Sequence, residues 1–259
     1  ANLTLLDTRV KELAGGATEM NLDSDWAGYA IVGERYPMIK ATDWVRNPEG
    51  KIIVDPVTGL PKAGDIVAVG TSDPTIRIGL NSVMKWKGFS LAATFDYRGG
   101  HYTRPSSEYN MLFTGASYIS GISGRQRFVF PNSVIEETDA SGNVTYRENT
   151  DITVNDAGKT FWNGIYKQGR ANQIISAASW RLRELSLGYD VPKKYLKKVG
   201  FLQRASVSLV GRNLFMWTPS TNIWGDPDFT GSGNGNVGGF SGTNNVGQRS
   251  YGFNLLLSF

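Results

Sequence analysis

Cysteine is absent from this 259-residue chain, and histidine occurs once, as His101. Without thiolates there is no disulfide scaffold, no zinc knuckle and no thiol nucleophile, and one imidazole cannot build a zinc site alone. The lack of cysteine leaves the compartment open, although such a chain suits an oxidising envelope. Charge is scarce as well: Asp, Glu, Lys and Arg make up 19% of residues, with a formal net charge of +4. The basic residues are scattered apart from Lys193-Lys194 and Lys197-Lys198. No basic and aromatic stripe accompanies them, which argues against nucleic acid as a partner. Also missing is any run approaching the ~20 consecutive apolar residues of a spanning helix, so a membrane reading must rest on strands. The chain opens Ala1-Asn2-Leu3 with no basic and apolar leader. The expectation is that a secretory signal was removed or that an amino-terminal part lies elsewhere.

What is present is glycine, 31 residues of it, with 12% aromatic and 40% hydrophobic content. Gly- and aromatic-rich, charge-poor composition favours an all-β fold, either one large domain or two ordinary ones. The final segment makes the choice sharper. Tyr251, Phe253, Leu255, Leu257 and Phe259 share one face of a strand, with Gly252, Asn254 and Ser258 opposite. Such a strand suits either a soluble core or a barrel wall with lipid on one side and a polar lumen on the other. From Thr75 to Trp86 period two holds throughout, and after the tight Lys87-Gly88 turn Phe89, Leu91, Ala93, Phe95 and Tyr97 continue the apolar face. This predicts a hairpin, with Trp86 at an interface.

Gly99-Gly100 opens a long loop stretch reaching about Ala178. Beyond it, Trp180 and Leu182 have the opposite parity to Leu185, Leu187 and Tyr189, and a bulge near Arg183-Glu184 reconciles them. Pro192 ends that strand, a short basic connection follows, and Arg204 to about Trp217 forms another strand with Ala205, Val207 and Leu209 on one face. Thr218 to Gln248 is again long and Gly-rich. Short and long connections alternate, as in outer-membrane barrels with short periplasmic turns and long extracellular loops. Upstream, Leu3–Val10 and Ser24–Tyr36 read as strands, and Pro37–Ser72 as a loop with small turns. Five or six barrel strands result. A barrel with a polar lumen needs at least about eight, so this chain should not close by itself.

Isolated candidate sites have plain explanations. His101, at a strand end, reads as a loop-rim residue. Asp226-Pro227-Asp228 offers oxygen ligands for calcium but lacks a spaced carboxylate series, so it reads as a turn. Glu136-Glu137 and Asp139 resemble a glycosidase pair only superficially, since they fall in an expected surface loop. With no nucleophile and base constellation, no enzyme activity is expected, and no cofactor. The Gly231–Asn236 run is not a phosphate loop, because no GK[ST] follows. Trp217 reads as part of an aromatic girdle. Trp224 and Phe229 are candidate extracellular-loop aromatics that could stack on sugar rings or pack on a lid protein. Pleat alternation marks Arg77, Asn81, Thr94, Asp96 and Arg98 as candidate lumen-facing wall positions.

Several motifs recur in one order. Trp44-Val45-Arg46-Asn47-Pro48-Glu49-Gly50-Lys51-Ile52-Ile53-Val54-Asp55-Pro56, Lys87-Gly88-Phe89-Ser90-Leu91 and Asp96-Tyr97-Arg98-Gly99-Gly100 are followed by Arg181-Leu182-Arg183-Glu184-Leu185-Ser186-Leu187-Gly188-Tyr189. Then come Gly211-Arg212-Asn213-Leu214-Phe215-Met216-Trp217, Asp226-Pro227-Asp228 and Arg249-Ser250-Tyr251-Gly252-Phe253. Taken together, these resemble the SusC/RagA family of TonB-dependent outer-membrane transporters, over the carboxy-terminal quarter or so of such a protein. The resemblance implies a transmembrane antiparallel barrel of about 22 strands, with plug domain and TonB box outside this chain. It implies import of oligosaccharides or peptides with a SusD-like surface lipoprotein, coupling to the TonB complex through the missing amino-terminal part, and residence in the lipid of the outer membrane. The aromatic-ended last strand resembles the signal read by barrel-assembly machinery. Two rivals remain: a soluble extracellular β-sandwich binding glycan or peptide, with the Phe89, Leu91, Phe95 and Tyr97 face buried against a second sheet, and a structural or secretion barrel subunit without nutrient cargo.

Overall fold

The computed structural model describes residues 1–22, 28–154, 158–198, 200–228, 240–241 and 247–259. Its backbone is a six-stranded antiparallel meander: β1 (Asn2–Leu5), β2 (Ile76–Trp86), β3 (Phe89–Gly99), β4 (Ser179–Asp190), β5 (Arg204–Trp217) and β6 (Ser250–Ser258). Neighbours in sequence are neighbours in the sheet. Lys87-Gly88 joins β2 to β3 with φ of 46° and 91°, the left-handed pair that a two-residue hairpin turn needs to match strand twist. A connection holding one helical turn (Lys193–Leu196) joins β4 to β5 at the same end. The three long connections, residues 6–75, 100–178 and 218–249, all leave the opposite end, where Ile76 pairs with Gly99 and Trp180 with Trp217.

Register sorts the side chains into two faces. One carries rows such as Met84–Leu91–Leu187–Leu209–Phe253 and Leu80–Phe95–Leu182–Phe215. At the turn end this face finishes in Trp86, Phe89 and Tyr189, and at the loop end in Tyr97, Trp180 and Trp217. Phe89 and Tyr189 rings lie 4.6 Å apart, and Tyr97 and Trp180 rings 4.9 Å apart. Ile78, in the row of the second aromatic set, is eight residues from Trp86. That is roughly 26 Å along the strand and, at a tilt of about 40°, roughly 20 Å along a membrane normal. Mostly apolar rows, aliphatic residues mixed with Phe95, Phe215, Tyr251 and Phe253, lie between two bands rich in Trp and Tyr, an arrangement compatible with a strand face set between two lipid–water interfaces.

The opposite face carries Asn81–Thr94–Glu184–Arg212–Ser250 and Lys85–Ser90–Gly188–Ser208–Asn254. Val83, Ala92, Val210, Met216 and Leu256 are among its apolar exceptions. A bulge shifts the register between Leu182 and Glu184, where the change of parity predicted one. Arg183 is the extra residue of β4, and Asn213 with Leu214 oppose it on β5, Asn213 adopting φ 53°. The bulge returns Leu185 to the apolar face and Glu184 to the polar one.

Two expectations are corrected. No second sheet covers the apolar face among the described residues: Phe89 is 49% exposed, Leu209 58% and Phe253 62%. A β-sandwich buries such a face, so that rival loses its structural basis. The segments read as loops, Pro37–Ser72 and 100–178, contain ordered elements with a core of their own. Trp44, Val54, Phe130, Ile135, Val154 and Phe161 form it, with Val54 fully buried. Ser133–Ile135 runs parallel to Ile52–Val54 and antiparallel to Val144–Glu148, so the first two long connections share one small sheet. The Gly28–Ile31 part of the second upstream strand belongs to a separate four-stranded sheet with Glu19–Asn21, Met38–Trp44 and Ala63–Thr71. Glu136 and Glu137 therefore sit on a strand, Ser133–Thr138, and Glu137 pairs with Arg147 at 3.1 Å.

Candidate functional site: an ion network on the polar face

The loop end of the polar face gathers six charged side chains, among them the buried Arg181. Asp96 and Arg98 alternate with outward Phe95 and Tyr97 on β3, and β4 adds Arg181 and Arg183 on either side of outward Leu182. The third long connection returns over them with Asp226 and Asp228. Arg181 forms a two-pronged pair with Asp226, its Nη1 lying 2.6 Å from Oδ2, and its side chain is only 7% exposed. Arg183 holds Asp96 through Nε at 2.7 Å and Nη2 at 3.0 Å, and the same Nη2 donates to Asp228 at 2.7 Å. Arg98 Nη1 reaches Asp228 at 3.3 Å. Arg181 Nε lies 3.3 Å from Asp228 Oδ2 but is not aligned for a hydrogen bond. Three guanidiniums thus face three carboxylates. In a partly dry setting such planar pairs are strong only when fully matched, and losing one member leaves an uncompensated charge.

Local geometry explains why the acidic pair can do this. The Asp228 backbone N–H donates to Asp226 Oδ1 at 2.9 Å, closing a turn around Pro227. That turn aims both carboxylates the same way, two residues apart, matching the two-residue spacing of Arg181 and Arg183 across the bulge. Arg181 and the Asp228 N–H hold the Asp226 carboxyl below its ordinary value, against the opposing effect of burial. The turn expected at Asp226-Pro227-Asp228 is present, and its carboxylates are bound to arginine. No metal-binding cluster occurs among the described residues.

His101 is buried beside this network, 7% exposed, with its Nδ1 unpartnered. Burial pushes its pKa down from 6.5 to about 4, Asp228 opposing and Arg98 and Arg77 reinforcing the shift. A buried neutral imidazole favours the folded state above the unfolded pKa. As pH falls from 6.5 towards 4 the unfolded chain takes the proton first, so this contribution is lost. An imidazole titration by NMR should place the His101 midpoint near 4; a midpoint at 6.5 would show the ring in water. Glu108 lies in a second buried cluster, on the Ser106–Phe113 helix, and accepts a hydrogen bond from Tyr166 Oη. Burial raises its pKa to about 7, with Tyr166 and Arg104 opposing. Its contribution has the other sign, complete below 4.5 and lost as pH rises to about 7. Glu108→Gln should therefore flatten the pH dependence of stability across that window, as read by thermal unfolding at each pH.

The five wall candidates lie on the polar face. Arg77 stands directly opposite Arg98, and Asn81 directly opposite Thr94. Asp96 and Arg98 belong to the ion network, whereas Asn81 and Thr94 sit one row nearer the turns. Trp224 is half-buried, its backbone N–H donating to Asn222 Oδ1 at 3.2 Å. Phe229 and the Gly231–Asn236 run lie outside the described residues. Of the terminal-strand residues, Tyr251, Phe253, Leu255 and Leu257 continue the apolar rows of β5. Phe259, just past β6, stacks on Phe201 at 5.9 Å. Arg181, Arg183 and the acidic turn were missed as a unit. The signal was available in the paired Arg-x-Arg and Asp-x-Asp spacings.

No protein-family model matches the chain, and no curated protein does. Solved structures do. The chain aligns over 97% of its length with a chain of the RagAB peptide importer in the open-open state, with a TM-score of 0.60 at 18% identity. Further matches are the RagAB peptide transporter (TM-score 0.59, 15% identity, 97% of the chain) and the importer in the closed-closed state (0.58, 17%, 95%). In each case this chain spans 25% of the length of the matched one. At such identities the likeness is one of fold: the chain has the β-rich fold of a quarter of a RagAB importer chain.

Proposed function

We propose that this chain is part of the wall and extracellular loops of a TonB-dependent outer-membrane transporter that imports oligosaccharides or peptides with a SusD-like lipoprotein. The observation that carries the reading is the two-faced meander, largely apolar between two bands rich in Trp and Tyr on one side and largely polar on the other, with every long connection at one end. Lipid selects the first face and a watery lumen the second. Both edge strands, β1 and β6, require partners to complete a barrel, and further strands of about 22 in all supply them. The match to RagAB importer chains supports the transporter class, and the family motifs support the lipoprotein lid and TonB coupling. Arg77, Asn81, Thr94, Asp96 and Arg98 then face the lumen. No catalytic role is assigned to any residue.

The test is extraction of the native protein from the outer membrane in mild detergent without boiling. The expected species has roughly four times the mass of this chain, given the 25% coverage, shifts in mobility on heating, and carries a lipoprotein with it. Deleting its gene should abolish growth on the cargo, and loss of TonB should do the same. A water-soluble species of this chain's own mass would sink the proposal.

A further inference from the structure

We propose that Asp226-Pro227-Asp228 is a strap that fixes the third long connection onto the polar face of the sheet, and that Arg98, Arg181 and Arg183 are its catch. The inference rests on the fold and ion network alone, and stands whether or not the wall serves nutrient import. Three observations carry it. The strap crosses to a different element, Asp226 and Asp228 each lying 45 residues from the arginine they meet in sequence. Among the described residues, the other hydrogen bonds of 218–228 are local: Asn222 N–H donates to Pro219 O, the Asp228 N–H donates within the strap to Asp226, and the remainder are side-chain contacts around Thr218 and Asn222. Finally, Arg181 is among the most buried charged side chains on the sheet, and the carboxylates covering it come from this segment. The catch is built in advance by the bulge at Arg183, which directs successive charged residues of β4 to the polar face. Lifting the strap leaves three guanidiniums facing Asp96 alone, a surplus of two positive charges, so a catch without its strap is costly and the closed state is favoured.

The experiment uses the full protein in detergent and reads two things: amide hydrogen exchange across residues 218–228, and modification of individual arginines by phenylglyoxal, followed by mass spectrometry. In the unaltered protein Arg181 should react far more slowly than the 40% exposed Arg98, and the Asp228 amide should be protected. In Asp226→Asn/Asp228→Asn, Arg181 modification and exchange across 218–228 should each rise about tenfold or more, as expected for losing a charge-assisted hydrogen bond. Heat-modifiable mobility reports that the wall is intact. Asp226→Glu/Asp228→Glu should restore part of the protection. Unchanged Arg181 reactivity in the double Asn variant would overturn the strap. So would an Asp228 amide that exchanges at the free-chain rate in the unaltered protein, a measurement that needs no variant to fold.

Discussion

Arginine at Leu185 should cost the assembled protein about 2–4 kcal/mol, the penalty for a guanidinium at the bilayer midplane, whereas arginine at the adjacent Ser186 should cost close to nothing. The pair is chosen for depth and parity. Leu185 lies in the Ser82–Ala93–Leu185–Gly211–Tyr251 row, midway between the two aromatic bands, while Ser186 lies in the Ala92–Ser186–Val210 row of the polar face. Because alternate side chains of a strand point to opposite faces, two neighbouring positions sample the proposed lipid and lumen sides at nearly the same depth. The measurement is the folded fraction of the full protein in phospholipid vesicles across a denaturant series, scored by heat-modifiable mobility. Equal penalties at both positions would show that neither face is in lipid, and a larger penalty at Ser186 would invert the wall. Moving the substitution to Leu255, in the turn-end row with Trp86, Phe89 and Tyr189, should lower the cost to roughly 0–1 kcal/mol, since the charge then reaches the interface.

The wall could be read from sequence because its information is local. Alternation in Ile76–Trp86 and Phe89–Gly99, two left-handed turn residues between them, and a single parity break at Arg183 are each contained in one short window. The loop-end core could not. Ile52–Val54 is three residues long, too short to show a period, and its partner Ser133–Ile135 is far along the chain and runs parallel to it. Phe128, Phe130, Phe161, Trp162 and Tyr166 lie among glycines and polar residues, where composition suggests an irregular loop, and only their clustering in space makes them a core. The ion network falls between these cases. The bulge that carries Arg183 was legible as a parity break, but nothing in a single window says which distant acidic turn folds back over Arg181 and Arg183. Charge pairing across long connections is set by where those connections return, which no local window encodes.

The loop-end core gives the second large effect. Phe161→Ala should cost about 3–5 kcal/mol of the stability of the loop-end unit, as loss of a buried aromatic side chain does, while the wall keeps its heat-modifiable mobility. Phe161 is 4% exposed, and its ring packs edge-on against Phe128, Phe130, Trp162 and Tyr166 at centroid distances of 6.3, 5.4, 4.8 and 5.7 Å. It therefore joins the Phe128–Val129 and Thr153–Val154 pair to the Lys159–Asn163 helix and the turns that follow. Truncation leaves a hole in a small core that has little else to collapse into it. A companion substitution acts from the opposite direction. At Gly169 an added Cβ would lie 2.0 Å from the Trp44 ring, so Gly169→Ala must displace either the indole or the turn, at about 1–3 kcal/mol. Both should speed proteolysis within residues 44–54 and 128–170 and leave β2 to β6 protected in hydrogen exchange. If the wall unfolds together with the loop-end unit in either variant, the two cores are one cooperative structure. Independent loss shows that the loops fold as a separate unit borne on the wall, free to change its packing while the sheet beneath stays closed.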